Sequence, residues 1–160
     1  MSQNATTVHA SAVLVGARAV LIRGPSGAGK SRLALELIET AQSGALRFAR
    51  LVGDDRVFLE PANGHLLVRP PAALAGLIEV RGAGIRRLAH EPTAVVGLVV
   101  DLAAADAERL PGADGQAVVI AGISLPRLAV AEGQEALPAV LALLTSDLSE
   151  GAVLDPRPAF

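Results

Sequence analysis

The chain has 160 residues, of which 51% are hydrophobic and 19% charged, and its net charge is −2. This length predicts one domain that can bury a core without metal or disulfide cross-links. The near-neutral charge argues against nucleic-acid binding, and the absence of cysteine excludes disulfides and thiolate zinc sites. No apolar run approaches the length of a membrane span, and residues 1–7 lack the positive charge of a secretory signal. We therefore expect a cytoplasmic protein without membrane insertion.

The first part of the chain predicts a strand pair followed by a helix. Two β-prone runs, 12–14 and 19–22, are separated by Gly16–Arg18, which is typical of a hairpin. A helix is predicted from near Lys30 to near Gly44, because apolar residues recur there at helical spacing: Ala34, Leu37, Ile38 and Ala41.

The rest of the chain consists mainly of short strands rich in Val, Leu and Ile. In chain order the pattern predicts a strand at 47–52, hairpin arms at 57–60 and 66–68, a helical turn at 72–74, an extended segment at 77–82, a strand at 94–102, a polar turn-rich segment at 104–115, strands at 118–120 and 125–129, and a helix at 137–145. Strands buried on both faces are typical of α/β proteins, so we predict an α/β fold with a mixed sheet. Residues 1–145 are predicted to form one domain and 146–160 a loose tail.

A glycine-rich segment joins the first strand pair to the predicted helix. It fits the P-loop (Walker A) pattern G-x-x-x-x-G-K-S/T in full, with Gly24, Pro25, Ser26, Gly27, Ala28, Gly29, Lys30 and Ser31. Its glycines allow successive N–H groups to face phosphate oxygens at the positive end of the helix. Lys30 is predicted to contact the terminal phosphates and Ser31 to bind Mg²⁺. The pattern therefore predicts a nucleotide-binding site for ATP and Mg²⁺.

Two sets of carboxylates could serve such a site. Asp101 lies near the end of the apolar strand 98–102, which is the generic arrangement of a metal-binding carboxylate in P-loop proteins. Asp54 and Asp55 follow the strand after the predicted helix, and repulsion between adjacent carboxylates makes one of them a better general base. The residues alone leave the choice between these two sets open.

Several segments together resemble the catalytic domain of the HPr kinase/phosphorylase family. They are His9–Val15, the loop 24–31, the helix segment 33–38, Leu51–Asp55, and the E-x-R-G-x-G-I type signature within 77–85. The resemblance covers about residues 8–130. It implies a P-loop kinase domain with a mixed β-sheet and flanking helices, of the type that HPr kinase shares with PEP carboxykinase.

The resemblance also implies roles for individual residues. Asp55 would accept the seryl proton, and His9 would lie beside it and support that function. Glu79 would bind Mg²⁺ together with the P-loop serine. Arg81 would line the phosphate region, and Arg109 would stabilise the transferred phosphate.

The implied function is an ATP- and Mg-dependent serine kinase that phosphorylates an HPr-like phosphocarrier protein. Homo-oligomer formation is a further expectation from the family. The family's Pro- and Arg-rich segment, linked to dephosphorylation, corresponds here to 126–134, which has lost most of its basic character. We therefore expect weak reverse phosphorolysis. Two other functions fit the residues: a nucleotide-sensing regulatory module that acts through a partner protein, and a small-molecule P-loop kinase that uses Asp101 for the metal.

Overall fold

The computed structural model describes residues 6–107 and 116–146. Within these ranges the elements are β1 (Thr7–Val15), β2 (Arg18–Arg23), α1 (Lys30–Gln42), β3 (Ala49–Gly53), β4 (Arg56–Ala62), β5 (His65–Arg69), a 3-10 turn (Ala72–Leu74), β6 (Leu77–Val80), β7 (Gly84–Arg87), β8 (Ala94–Asp101), β9 (Ala117–Ile120), β10 (Ile123–Ala129) and α2 (Leu137–Thr145). The predicted α/β class, the first hairpin and both helices are confirmed. The predicted loose tail lies, from residue 147 onward, outside the described residues.

Five strands are hydrogen-bonded in a closed ring. The order is β2, β1, β4, β5 and β8, and β8 returns to pair with β2. All pairings in the ring are antiparallel except the parallel pair of β2 and β8. A ring of so few strands encloses a narrow interior, which suits small and β-branched side chains. The corresponding core cluster contains Ala10, Ala12, Ala19, Leu21, Val52, Val57, Leu66, Val68, Ala94, Val96, Val99 and Leu125.

The second core lies between the strands and the two helices. Helix α1 turns its apolar stripe, Leu33, Ala34, Leu37 and Ile38, toward this core, as its spacing predicts. Val13 and Val15 of β1, Val20 and Ile22 of β2, and Leu98 and Val100 of β8 belong to the same cluster. Neither described helix is long and apolar enough to cross a membrane.

The predicted extended segment 77–82 differs from the structure. β6 ends at Val80, and the chain turns back into β7, with which β6 forms a separate two-stranded sheet. The turn includes Gly82 with a φ of 86°, a backbone conformation that glycine adopts without strain. All four residues of β7 are exposed, whereas β6 buries Ile78 in the core, so β7 is the outer strand of this hairpin.

The strand pairings bring the chemically important segments together. β2 and β8 run parallel, with Arg23 opposite Asp101, so both strands end beside the glycine-rich loop. β1 pairs with β3, with Ala12 opposite Gly53, which places the residues after β3 beside the first half of β1. The loop, the acidic pair and the N-terminal strand therefore share one edge of the fold.

Candidate functional site

The loop between β2 and α1 is open on its concave side. Gly27 and Gly29 have φ values of 81° and 100°, and a Cβ added at either would meet no atom within 4 Å. No side chain of the described residues caps the start of α1, and its first turn carries no acidic residue. Free N–H groups and the helix dipole make such a helix start a favourable position for an anion.

Lys30 is the first residue of α1, directly after the glycine-rich loop, and it is buried. Its Nζ donates hydrogen bonds to the carbonyl oxygens of Gly24 at 2.8 Å and Pro25 at 3.0 Å. Burial lowers the pKa of the Lys30 ammonium, while the negative charges of Asp55 and Asp54 act in the opposite direction. The lysine is thus a cation placed between the loop and the acidic pair.

Asp54 is the centre of a hydrogen-bonded cluster and is only 4% exposed. Its Oδ1 accepts hydrogen bonds from Ser11 Oγ at 2.6 Å and from Ser31 Oγ at 2.7 Å. Its Oδ2 accepts from Ser31 Oγ at 2.9 Å and from the backbone N–H of Glu79 at 3.1 Å. Three elements, β1, α1 and β6, therefore converge on one carboxylate.

The direction of the Ser31 hydrogen bond determines what this cluster can do. A serine hydroxyl has a single proton, and Ser31 directs it toward Asp54, so its oxygen lone pairs are left for another partner. Oxygen atoms of this kind suit a hard divalent cation such as Mg²⁺. Asp54 thus orients Ser31, a role that the sequence did not reveal because only the adjacent pair was visible there.

Asp55 faces solvent and pairs with a different side chain. Its Oδ1 lies 2.8 Å from Nε2 of His9, and the side chains of His9 and Asp55 are 43% and 63% exposed. The φ of Asp55 is 67°, a left-handed conformation that aspartate tolerates better than most residues. His9 and Ser11 lie on the same face of β1, so both carboxylates turn toward that face. In a regular strand the side chains of consecutive residues point to opposite faces. The left-handed conformation of Asp55 allows the Asp54 and Asp55 side chains to turn toward the same face.

A cavity of about 350 Å³ lies beside the loop. Its walls come from the loop itself, the first turns of α1, residues 102–103 and the segment 130–136. Glu132 and Glu135 of the segment 130–136 line it, and Glu36 of α1 lines it together with its ion-pair partner Arg32.

Comparison with known proteins agrees with the resemblance inferred from the sequence motifs. A family model described as "HPr Serine kinase C-terminal domain" matches residues 2–136. The chain belongs to this family. Among solved structures it is similar to the Hpr(Ser) kinase/phosphatase from Coxiella burnetii, with a TM-score of 0.67 and 27% identity over 86% of this chain and 87% of that one.

Curated relatives are named HPr kinase/phosphorylase. The protein from Enterococcus faecalis is 38% identical over 136 residues, which cover 78% of this chain and 42% of that protein. The protein from Clostridium beijerinckii is 44% identical over 80 residues, which cover 50% of this chain and 24% of that protein. The chain thus spans less than half the length of the curated relatives it matches.

The remaining predicted site residues are Glu79, Arg81 and Arg109. The backbone N–H of Glu79 belongs to the Asp54 cluster, and the residue is exposed. Arg81 is exposed in the turn between β6 and β7, and no hydrogen bond joins it to the cluster among the described residues. Arg109 lies outside the described residues. The roles of these three side chains stay predictions.

Asp101, the alternative metal-binding carboxylate, forms ion pairs with two arginines. Its Oδ1 accepts from Arg23 Nε at 2.7 Å, and its Oδ2 accepts from Arg23 Nη2 at 2.8 Å and Arg127 Nε at 2.6 Å. Burial acts to raise the pKa of Asp101, but the hydrogen bonds from Arg23 and Arg127 outweigh it and hold the pKa below its usual value. Arg127 also forms a bidentate ion pair with Asp106. This geometry favours a structural brace at the ends of β2, β8 and β10 over a metal site.

Proposed function

We propose that this chain is an ATP- and Mg-dependent serine kinase whose acceptor is an HPr-like phosphocarrier protein. The observation that carries the proposal is the Ser31–Asp54 pair at the glycine-rich loop, with the exposed Asp55 next to it. The family match and the names of the relatives support the acceptor. A kinase that shares its compartment with ATP and a phosphocarrier is expected to act in the cytoplasm.

The nucleotide phosphates would lie in the open loop. The backbone N–H groups at the start of α1 and the Lys30 ammonium would hold the phosphate oxygens. On nucleotide binding, Nζ of Lys30 would exchange its carbonyl partners in the loop for phosphate oxygens. The adjoining cavity is the place for the nucleoside, and Arg81 and Arg109 would support the transferred phosphate.

The cluster around Asp54 fits a bound Mg²⁺ ion. Ser31 would present its oxygen, and Asp54 would keep the Ser31 proton turned away. Glu79, whose backbone N–H binds the same carboxylate, would add its own exposed side chain as a ligand. A bound Mg²⁺ ion neutralises charge on the phosphate oxygens during transfer. The chain's own contribution is to fix the ligand geometry before the ion arrives.

Asp55 is the group suited to accept the acceptor's proton. Asp54 already receives hydrogen bonds on both oxygens, whereas Asp55 is open to an incoming protein and receives support only from His9 among the described side chains. As the seryl oxygen bonds to the γ-phosphorus, the bond to the bridging oxygen breaks, ADP leaves, and the seryl proton passes to Asp55. His9 would keep that carboxylate oriented toward the acceptor.

The reverse reaction, attack of inorganic phosphate on the phosphoserine, is expected to be slow. The segment 126–134 contributes Arg127, but that side chain is held by Asp101 and Asp106. Farther along, Glu132 and Glu135 line the cavity. An incoming phosphate anion would meet carboxylates where a basic segment would attract it.

The test is transfer of label from γ-labelled ATP to a purified HPr-like phosphocarrier with Mg²⁺ present. Label on a serine of the carrier, absent with Lys30→Ala and abolished by chelation of Mg²⁺, is the expected result. Nucleotide binding without transfer would support the nucleotide-sensing module instead. Transfer to small molecules but not to the carrier would support a small-molecule kinase.

A further inference from the structure

Ser11 is a polar residue at a position where the strand pattern calls for an apolar one. It lies in β1 between Ala10 and Ala12, is fully buried, and faces the same side as the apolar Val13. A hydroxyl in such surroundings is costly unless it is hydrogen-bonded. Its partner is Asp54 Oδ1 at 2.6 Å, 43 residues away in the sequence.

We propose that Ser11 is a positioning residue that fixes the Asp54 carboxylate and, through it, the oxygen that Ser31 offers to Mg²⁺. This inference rests on the proposed nucleotide site and extends it by one residue. Ser11 touches neither the nucleotide nor the ion in this scheme. It acts through a chain of two hydrogen bonds, from Ser11 to Asp54 and from Ser31 to the same carboxylate.

The geometry explains why the carboxylate needs this support. Ser11 and Glu79 N–H bind different oxygens of Asp54, Oδ1 and Oδ2, and so restrain rotation about the bond that carries the carboxylate. Without Ser11, Oδ1 would keep only Ser31 as a donor and the carboxylate could turn. The Ser31 hydroxyl would turn with the carboxylate, and its oxygen lone pairs would no longer point toward the cation. Loss of such an outer partner typically lowers metal affinity about 10- to 100-fold.

The anchoring of Ser11 makes it suited to this task. Its strand pairs with β2, β3 and β4, and within β1 Ser11 is opposite Ile22 of β2. β1 is therefore held on both sides along most of its length. A hydroxyl on this strand has a fixed position relative to the loop that β2 enters.

The experiment measures ADP binding by calorimetry with and without Mg²⁺, so that it needs no turnover. The quantity of interest is the factor by which Mg²⁺ tightens ADP binding. Ser11→Ala should reduce this factor about tenfold and leave metal-free ADP affinity unchanged. Ser11→Thr and Ser11→Val form a matched pair, because the two side chains have nearly the same shape and only threonine keeps the hydroxyl. Threonine should retain a factor about tenfold larger than valine.

Thr40→Val is the control for loss of a hydroxyl elsewhere, since among the described residues the Thr40 hydroxyl donates to the Glu36 carbonyl within α1 and to no other group. It should leave the Mg²⁺ factor unchanged. The role of Ser11 is overturned if Ser11→Ala weakens metal-free and Mg²⁺-dependent binding equally, if threonine and valine behave alike, or if only the melting temperature falls. If the parent protein itself shows no Mg²⁺ effect on ADP, the proposed nucleotide site fails and the Ser11 role fails with it.

Discussion

The brace that Asp101 forms with Arg23 and Arg127 provides a test of whether Asp101, instead of Asp54 and Asp55, serves the candidate site. Replacing Asp101 with asparagine keeps the shape but removes the charge, and it puts an amide NH₂ where a guanidinium N–H now donates. Asp101 accepts three charged hydrogen bonds and its side chain is 14% exposed. Charge-assisted bonds of this kind are worth about 1.5–3 kcal/mol, and removing one partner of a fully buried ion pair costs about 3–5 kcal/mol. Since Arg23 is partly open to solvent, we expect Asp101→Asn to lower the free energy of unfolding by about 2–3 kcal/mol.

For a chain of this length such a loss corresponds to a fall in melting temperature of about 5–10 °C. The measurement is thermal and urea unfolding of parent and variant, together with phosphotransfer well below the transition. Phosphotransfer per folded molecule should stay within a few-fold of the parent. An unchanged melting temperature with abolished transfer would refute the brace and favour Asp101 as the metal carboxylate.

The same brace has a predicted pH dependence. Because the pKa of Asp101 is lowered in the folded chain, its stabilising effect is fully present above the ordinary aspartate pKa of about 3.9 and is lost as the pH falls through the folded-state value. Asp101→Asn has no such titration. The difference in unfolding free energy between parent and variant should therefore shrink as the solution is acidified below about pH 4. A difference that stays constant down to strongly acidic pH would contradict this account.

Three further predictions concern catalysis. Asp55→Asn should slow the chemical step about 10²-fold or more and leave the stability unchanged, because asparagine tolerates the φ of 67°. Asp55→Ala should slow the step as well and should also lower the free energy of unfolding by about 1 kcal/mol. Single-turnover transfer measures the first effect and thermal unfolding the second, and equal stability of the two variants would contradict the strain argument. Lys30→Ala should abolish transfer while circular dichroism remains that of the parent, and retained transfer would exclude the loop as the phosphate site. Forward transfer should exceed phosphate-driven removal of the seryl phosphate by a wide margin. Comparable rates at saturating phosphate would show that Glu132 and Glu135 do not govern the reverse reaction.

Local features were predictable from the sequence. The helix α1 follows from its apolar spacing, and its start follows from the glycine-rich segment before it. The β6–β7 hairpin does not follow from the strand pattern, because Glu79–Arg81 fits one extended segment. Gly82 and Gly84 allow the chain to reverse there, and the structure uses that freedom.

The centre of the candidate site could not be read from the sequence. Ser11 and Asp54 meet only because β1 and β3 pair with a register shift between Ala12 and Val13, and no local pattern encodes such a pairing. Asp54 and Asp55 have different contacts, and Asp55 has a left-handed backbone conformation that an Asp-Asp sequence does not reveal. The motif showed which residues to consider, and the strand pairing showed what each one contacts.

The closed ring of strands divides the candidate site into a stiff part and a compliant part. Ser11 and His9 belong to β1, a ring strand that cannot slide without breaking hydrogen bonds to several neighbours at once. β6 is tied to the rest by the buried Ile78 and by the Glu79 N–H on Asp54, whereas β7, which follows Arg81, is fully exposed. Amide exchange should therefore be slowest in β1, β2 and β8 and much faster in β7. If the proposed function is right, a docking acceptor would meet the Ser11 and His9 side of the site already set in place, and the side that adjusts to its surface would be β7 and the turn before it.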